Sequence, residues 1–412
     1  MNNYISQLSD RAGYSVFARC ARLFRSKTTL KLLGIMSGVP GLKKVVRPKI
    51  SDLKRPNILV VRCDVLGDII LTIPFLAALR HQFPKSHISI LVAKTWVPLA
   101  RQIKYVDEVL ASPLQTNKWS AIANVFRAMF FGLKELRQHR FDLTLCPRWD
   151  SDYTDAFLLS FFSFAPLRIA FSESSTEWRR AANRGQDQLF TTIVTDTGVK
   201  HEATRSLFFL ESLGLSSTIN INEVEFLCHE DRKAPINLPP GFDPIAVFPG
   251  VRDRSRQWPV ENFVNSARLI ASRHNVIFLA LGTQAEANQC SEFCKALGES
   301  SINLCGKIDL VELPVLLKLC CAVLSCNSGG AHLAGILNVP VVAIFSHPMD
   351  GDPADPCSPD RFRPLGENVI VIQPESLSFK DNGKTSSLSF VTVERVAEAV
   401  NGILEKNPKC SR

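Results

Sequence analysis

Between Pro56 and the end of the chain, short runs rich in β-branched residues alternate with longer stretches of helical character, and they do so twice. NILVVR (57–62), HISILVA (87–93), DEVLAS (107–112), FDLTLC (141–146) and LRIAF (167–171) read as strands. Runs this apolar are buried on both faces, as in a parallel sheet covered by crossover helices. DIILTIPFLAALRHQF (68–83), the segment near 119–139 and KHEATRSLFFLESLGL (200–215) supply helices, the last ended by Gly214, while 172–199 reads as an irregular loop. The Pro-rich tract APINLPPGFDP (234–244) then interrupts the pattern, as a linker does. A second set follows at once. Its strands are PIAVFPG (244–250), NVIFLALG (275–282), AVLS (322–325) and VPVVAIFS (339–346), with helices near 260–273, 284–298, 309–320 and 331–337.

This alternation predicts an α/β chain with two Rossmann-like parallel-sheet domains facing a central cleft. The expected divisions are a basic extension over 1–55, an N-terminal domain over 56–235, a C-terminal domain over 242–390 and a last helix over 391–406, able to pack on either domain. Ligands of such sheets sit beyond the carboxyl ends of the strands, so chemistry is sought in the loops that follow them.

The net charge of +9 is carried by one end of the chain. Residues 1–55 hold twelve Lys or Arg against Asp10 and Asp52, so the remainder is close to neutral. A neutral body with a basic arm argues against nucleic acid and for a tether to something anionic. Within the arm, Phe17, Ala21, Phe24, Thr28, Leu32 and Ile35 share one side of a helix while Arg19, Arg22 and Arg25 lie away from it. Two readings stay open: an interfacial segment on an anionic membrane, and a solvated or domain-packed helix. No apolar run approaches the roughly 18 residues of a spanning helix, and the N-terminus lacks the pattern of a secretory signal, so the expected location is cytoplasmic, peripheral on the inner membrane if the arm binds lipid. The twelve cysteines show no C-x-x-C pair or zinc-like spacing and read as buried reduced thiols.

Three loops carry chemistry-bearing residues. LSCNSGGAHLAG (324–335) runs from a strand through Ser328, Gly329 and Gly330 into a short helix. The free N–H groups of a helix N-terminus suit a phosphate, and glycine lets an anion approach closely; a tight turn without a ligand is the alternative. His332 by itself reads as a packing residue. FPGVRDRSRQWPVENF (248–263) carries Arg252, Arg254 and Arg256 after a strand, fit to hold a diphosphate or simply to be solvated. LALGTQAEANQ (279–289) brings Glu286 near a strand-to-helix turn, where it can accept from ribose hydroxyls or lie on the helix surface. In VVRCDVLGDIILTIP (60–74), Asp64 lies mid-loop with the character of a turn or cap residue. Asp68 follows Gly67 at a helix start, where the dipole should stabilise its charge and lower its pKa. Asp150-Ser151-Asp152 and the loop with Asp350, Asp352 and Asp355 read as solvated turns rather than metal sites. Residues 62–68 lack the clustered glycines of a dehydrogenase turn.

Taken in order, Asp64, Gly67, Asp68 and Pro74, then Arg256, Trp258 and Pro259, then Ser328, Gly329, His332 and Pro340 resemble the motifs of glycosyltransferase family 9, the ADP-heptose:lipopolysaccharide heptosyltransferases. The likeness covers about residues 56–405. It implies the GT-B fold and metal-independent, inverting transfer of a sugar from a nucleotide-sugar donor to a lipid-anchored bacterial glycan, with no cofactor. It also implies roles: Asp68 as general base; Arg256, Ser328, Gly329 and Gly330 on the donor phosphates; Glu286, Asn327 and His332 on the donor nucleotide or sugar; Asp64 and Gly67 in the acceptor-side loop. Arg256 stands where the family has a lysine, and Asn327 where many members have an acid, which leaves the sugar open. The competing readings are a sugar-nucleotide epimerase of related architecture and a non-catalytic nucleotide-sugar-binding protein.

Overall fold

The computed structural model describes residues 50–115, 120–220, 224–226, 235–376 and 387–407. The basic arm, but for its last few residues, lies outside them. The chain forms two six-stranded sheets in which every adjacent pair of strands is parallel. The first comprises β1 (Ile58–Val61), β2 (Ile88–Ala93), β3 (Glu108–Ser112), β4 (Leu143–Cys146), β5 (Leu167–Phe171) and β6 (Thr192–Val194), in the order β3-β2-β1-β4-β5-β6. The second comprises β7 (Asp243–Phe248), β8 (Val276–Ala280), β9 (Ser301–Asn303), β10 (Ala322–Cys326), β11 (Val341–Ile344) and β12 (Val369–Ile372), in the order β12-β11-β10-β7-β8-β9.

Counted within its own half, each sheet therefore has the doubly wound order 3-2-1-4-5-6. In both halves the order reverses between the first and fourth strands, β1 beside β4 and β7 beside β10. The two crevices so formed hold loops that carry candidate site residues.

The central strands are where the apolar runs predicted them. β1, β4, β8, β10 and β11 are buried along their length, as residues covered on both faces must be. Sequence reading misses β6, β9 and β12, all at sheet edges and partly exposed; β6 and β9 are three-residue strands without a continuous apolar run, whereas β12 is a short Val-Ile-Val-Ile run. The segment 172–199 is also more regular than expected, with a helix at Glu177–Ala182 besides β6. The helix Ala156–Phe161 is buried at every position and so shows no amphipathic period.

The helix expected over 68–83 is two, Leu66–Leu71 and Ile73–Gln82. Pro74 has no N–H for the carbonyl of Ile70, and the Thr72 hydroxyl donates to Asp68 O at 2.7 Å, closing the first piece. Residues 235–242, from the predicted linker, contain no helix or strand and lead into β7. The last helix, Val393–Lys406, packs on the second half: Val396, Val400 and Leu404 join the core of Trp258 and Phe263, and Trp258 Nε1 donates to Val391 O at 3.1 Å. Another apolar core runs without a break from Phe75 and Leu66 in the first half to Phe248 and Leu333 in the second. Among the described residues no helix is long and apolar enough to cross a membrane.

Candidate active site

In the first half the chain leaves β1 through Arg62, Cys63 and Asp64 and enters the helix Leu66–Leu71, while Arg148 follows β4. Because β1 and β4 are neighbours, four charges converge. Asp64 is almost wholly buried and takes Arg62 Nε at 3.1 Å and the Arg148 guanidinium in direct contact. Asp68 stands farther from both, with Arg62 Nη2 at 3.7 Å and Arg148 Nη1 at 3.8 Å.

Two expectations are corrected here. Asp64 is neither a turn nor a cap residue: the N-cap is Val65, with no side-chain cap, and Asp64 is the partner of two arginines. The pKa of Asp68 is not lowered. Burial, opposed by Arg62 and reinforced by the charge of Asp64, pushes it up to about 6. Desolvation of a carboxylate outweighs a helix of less than two turns.

In the second half, β7 and β10 end side by side. Ser328 is the N-cap of the helix Gly329–Ile336, yet its hydroxyl pairs with Ser325 Oγ at 2.7 Å, and no side chain caps the helix. Gly330 lies against the Phe248 ring, where a β-carbon would come within 2.5 Å.

The two helix N-termini meet. A β-carbon at Gly329 would fall 2.8 Å from Leu66 Cδ2, and one at Gly67 2.7 Å from His332 Cδ2. Glycine at both positions is thus demanded by close approach. The helix Leu66–Leu71, which carries Asp68, thus meets the Ser328-Gly329-Gly330 turn of the opposite half through Leu66 and Gly67. His332, buried beneath this contact, has its pKa pushed down to about 3 by desolvation, so its ring is neutral at ordinary pH. Its Nδ1 has no partner among the described residues.

The other candidates lie around the second crevice. Arg256 is half-exposed on a single 3₁₀ turn, Arg254–Arg256, with Asp253 at 3.5 Å. Asn327 precedes the glycine turn and is fixed by its N–H, which donates to Ile344 O at 2.9 Å. Glu286 is not on a helix surface. It is buried, and its Oε2 accepts from Thr283 N at 2.7 Å and from the Thr283 hydroxyl, closing a capping box.

A cluster that sequence reading misses joins the halves. Arg361, 1% exposed, donates to Glu202 Oε1 from Nε (3.2 Å) and Nη2 (2.9 Å), and Nη2 also donates to Asp150 Oδ2 at 3.1 Å. Arg205 and Arg361 both lie over the Trp149 ring, 3.6 Å and 4.9 Å from its centre. The Asp150-Ser151-Asp152 segment is therefore no solvated turn: Asp152 is buried and accepts from Thr154 N at 2.8 Å and Phe157 N at 3.0 Å. Asp352 and Asp355 do shape turns, accepting from Ala354 N and Cys357 N.

The sequence profile of glycosyltransferase family 9 (heptosyltransferase) matches residues 134–390, more than half of the chain. The chain belongs to this family. It is a glycosyltransferase by that membership. Its curated relatives include the lipopolysaccharide core heptosyltransferase OpsX of Haemophilus influenzae, 21% identical over 338 residues that make up 80% of this chain and 88% of the relative. Lipopolysaccharide heptosyltransferase 2 of Escherichia coli is 23% identical over 376 residues, 84% of this chain and 98% of the relative. Among solved structures, E. coli ADP-heptose lps heptosyltransferase II superposes with a TM-score of 0.66 at 20% identity, over 85% of this chain and 99% of that one. The E. coli heptosyltransferase WaaC with ADP gives 0.60 at 17% identity, over 85% and 99%. The family 9 chain thus has the GT-B fold. A UDP-N-acetylglucosamine 2-epimerase from Listeria monocytogenes is more distant, with a TM-score of 0.52 at 13% identity over 86% of this chain and 89% of that one, a likeness of fold alone.

Proposed function

We propose that this glycosyltransferase moves heptose from ADP-heptose to a hydroxyl of a lipopolysaccharide-core acceptor, with inversion and without a metal, and that Asp68 is the general base. The observation that carries this reading is the meeting of the helix that bears Asp68 with the glycine turn of the other half, through the Gly67–His332 and Leu66–Gly329 contacts. The names of the relatives supply the donor and the acceptor class.

In the reaction so drawn, the acceptor oxygen attacks the anomeric carbon while its proton passes to Asp68, and the bond to the diphosphate breaks with its electrons leaving on ADP. A carboxylate with a pKa near 6 is largely ionised at pH 7 and still basic enough to share a proton in the transition state. The uncapped N–H groups at Ser328-Gly329-Gly330 and the Arg256 guanidinium would receive the developing diphosphate charge, an electrostatic task suited to a helix N-terminus and a planar donor. Glu286, through the oxygen not committed to Thr283, together with Asn327 and His332, is assigned to the donor nucleotide and sugar. The acceptor enters on the side of Asp64 and Gly67. The basic arm would hold the enzyme at the cytoplasmic face of an anionic membrane, where a lipid-anchored acceptor lies.

The test is a thermal-shift and ADP-release screen of nucleotide sugars with heptose-deficient core lipopolysaccharide as acceptor. ADP-heptose should stabilise the protein and release ADP only with acceptor present, whereas UDP- and GDP-sugars should do neither. Asp68→Asn should bind donor and lose at least about a hundredfold in turnover. Equal ADP release by wild type and Asp68→Asn would overturn the base assignment, and conversion of the donor without acceptor would favour epimerisation.

A further inference from the structure

We infer that Asp64 is a positioning residue that holds the guanidinium groups of Arg62 and Arg148 off Asp68, leaving the Asp68 carboxylate free to take a proton. The inference rests on Asp68 being the base. It concerns how a carboxylate beside two arginines remains basic at all.

Both arginines contact Asp64 more closely than Asp68: Arg62 at 3.1 Å against 3.7 Å, and Arg148 in direct contact against 3.8 Å. The two acids also differ in access, since the Asp64 side chain is 2% exposed and that of Asp68 16%. Asp64 is thus the inner anchor and Asp68 the outer, reachable carboxylate. A carboxylate bound by a charged donor loses lone pairs and basicity together. With Asp64 taking the short contacts, the lone pairs of Asp68 remain open towards the cleft.

Every charged group facing Asp68 is consistent with this division. Arg62 and Arg148 favour its ionisation, whereas Asp64 and, from the helix Glu202–Glu211, Glu202 oppose it. Glu202 is itself held by Arg361 and Arg205. His332, packed on the neighbouring Gly67 from the other half, is neutral. Asp64 holds both arginines more closely than Asp68 does, so its removal frees two guanidinium groups for which Asp68 is the remaining carboxylate in contact with both. They should close on it. Arg148 is held near the site meanwhile by its Nε, which donates to Ser151 O at 2.7 Å.

The test compares pH profiles of ADP release, with ADP-heptose and heptose-deficient core lipopolysaccharide, for wild type, Asp64→Asn, the double variant Asp64→Asn/Arg148→Gln, and Asp68→Asn. Wild type should lose activity below a limb near pH 6. In Asp64→Asn the limb should fall by about one pH unit or more and kcat at pH 7.5 by about tenfold, with the donor KM unchanged. The double variant, balanced again in charge, should bring the limb back towards pH 6. Should Asp64→Asn fail to fold, as judged by thermal unfolding, the double variant alone decides: a limb a unit or more below wild type overturns the inference. A limb unmoved in Asp64→Asn overturns it as well, whatever the loss of rate. Activity surviving in Asp68→Asn would instead refute the base assignment on which the inference stands.

Discussion

At the scale of single residues, the proposed role of Asp68 as a base would set function against stability. A carboxyl whose pKa rises to about 6 on folding binds a proton in the folded state that the unfolded chain, near 3.8, has already released between those values. Its contribution is therefore complete below about pH 4, is lost as pH rises to 6, and stays lost above. Asp68→Asn, which needs no proton to be neutral, should accordingly raise stability at pH 7.5 by about 1–2 kcal/mol relative to wild type and by almost nothing near pH 4. Thermal or urea unfolding at the two pH values measures the difference. A stabilising substitution that abolishes turnover is the expected signature of a strained catalytic group. Gly67 and Gly329 make the complementary point: they matter for the side chains they lack, because Leu66 and His332 occupy that space.

At the scale of elements, each functional loop is held by a short structure of its own. The capping box of Glu286 on Thr283 starts the turn that leads into the helix Ala287–Leu297, and Gly250 packs on the Glu286 side chain from the end of β7. Glu286→Ala should cost about 1 kcal/mol by leaving the Thr283 N–H without its acceptor, whereas Glu286→Gln keeps an acceptor and should stay close to wild type. Calorimetry with both variants, with and without ADP-heptose, separates the capping role from the proposed donor contact: the latter should appear as weakened ligand stabilisation in Glu286→Gln with the unliganded Tm preserved. Pro74 plays a comparable part in the first half by parting the helix of Asp68 from the one that follows.

At the scale of the whole molecule, the halves are joined by an apolar core and by Arg361, which pairs with both Glu202 and Asp150. His201 Nε2 donates to Arg363 O at 2.9 Å, and Gln102 Nε2 to Leu310 O at 3.1 Å, across the same divide. Removing one partner of a buried ion pair strands the other, so Arg361→Ala should destabilise by about 3 kcal/mol and split a single unfolding transition into two; Arg361→Met with Glu202→Gln should recover much of the loss. Differential scanning calorimetry reads both outcomes.

Much of this organisation is legible in the order of residues alone. Buried parallel strands must be apolar on both faces, so β1, β4, β7, β8, β10 and β11 announce themselves, and with them the loops that bear Asp68 and the Ser328-Gly329-Gly330 turn. A helix start close to Asp68 and the glycines that open the helix Gly329–Ile336 are local features, readable because they depend on neighbours a few residues away. What only the tertiary structure decided is everything that depends on distant residues being brought together. Arg148 lies 84 positions from Asp64, and Arg361 lies 159 from Glu202. No periodicity marks an arginine as the partner of a carboxylate so far along the chain. Burial, which turned the expected fall in the pKa of Asp68 into a rise, likewise belongs to the packed molecule, because desolvation is a property of the surroundings a side chain acquires on folding.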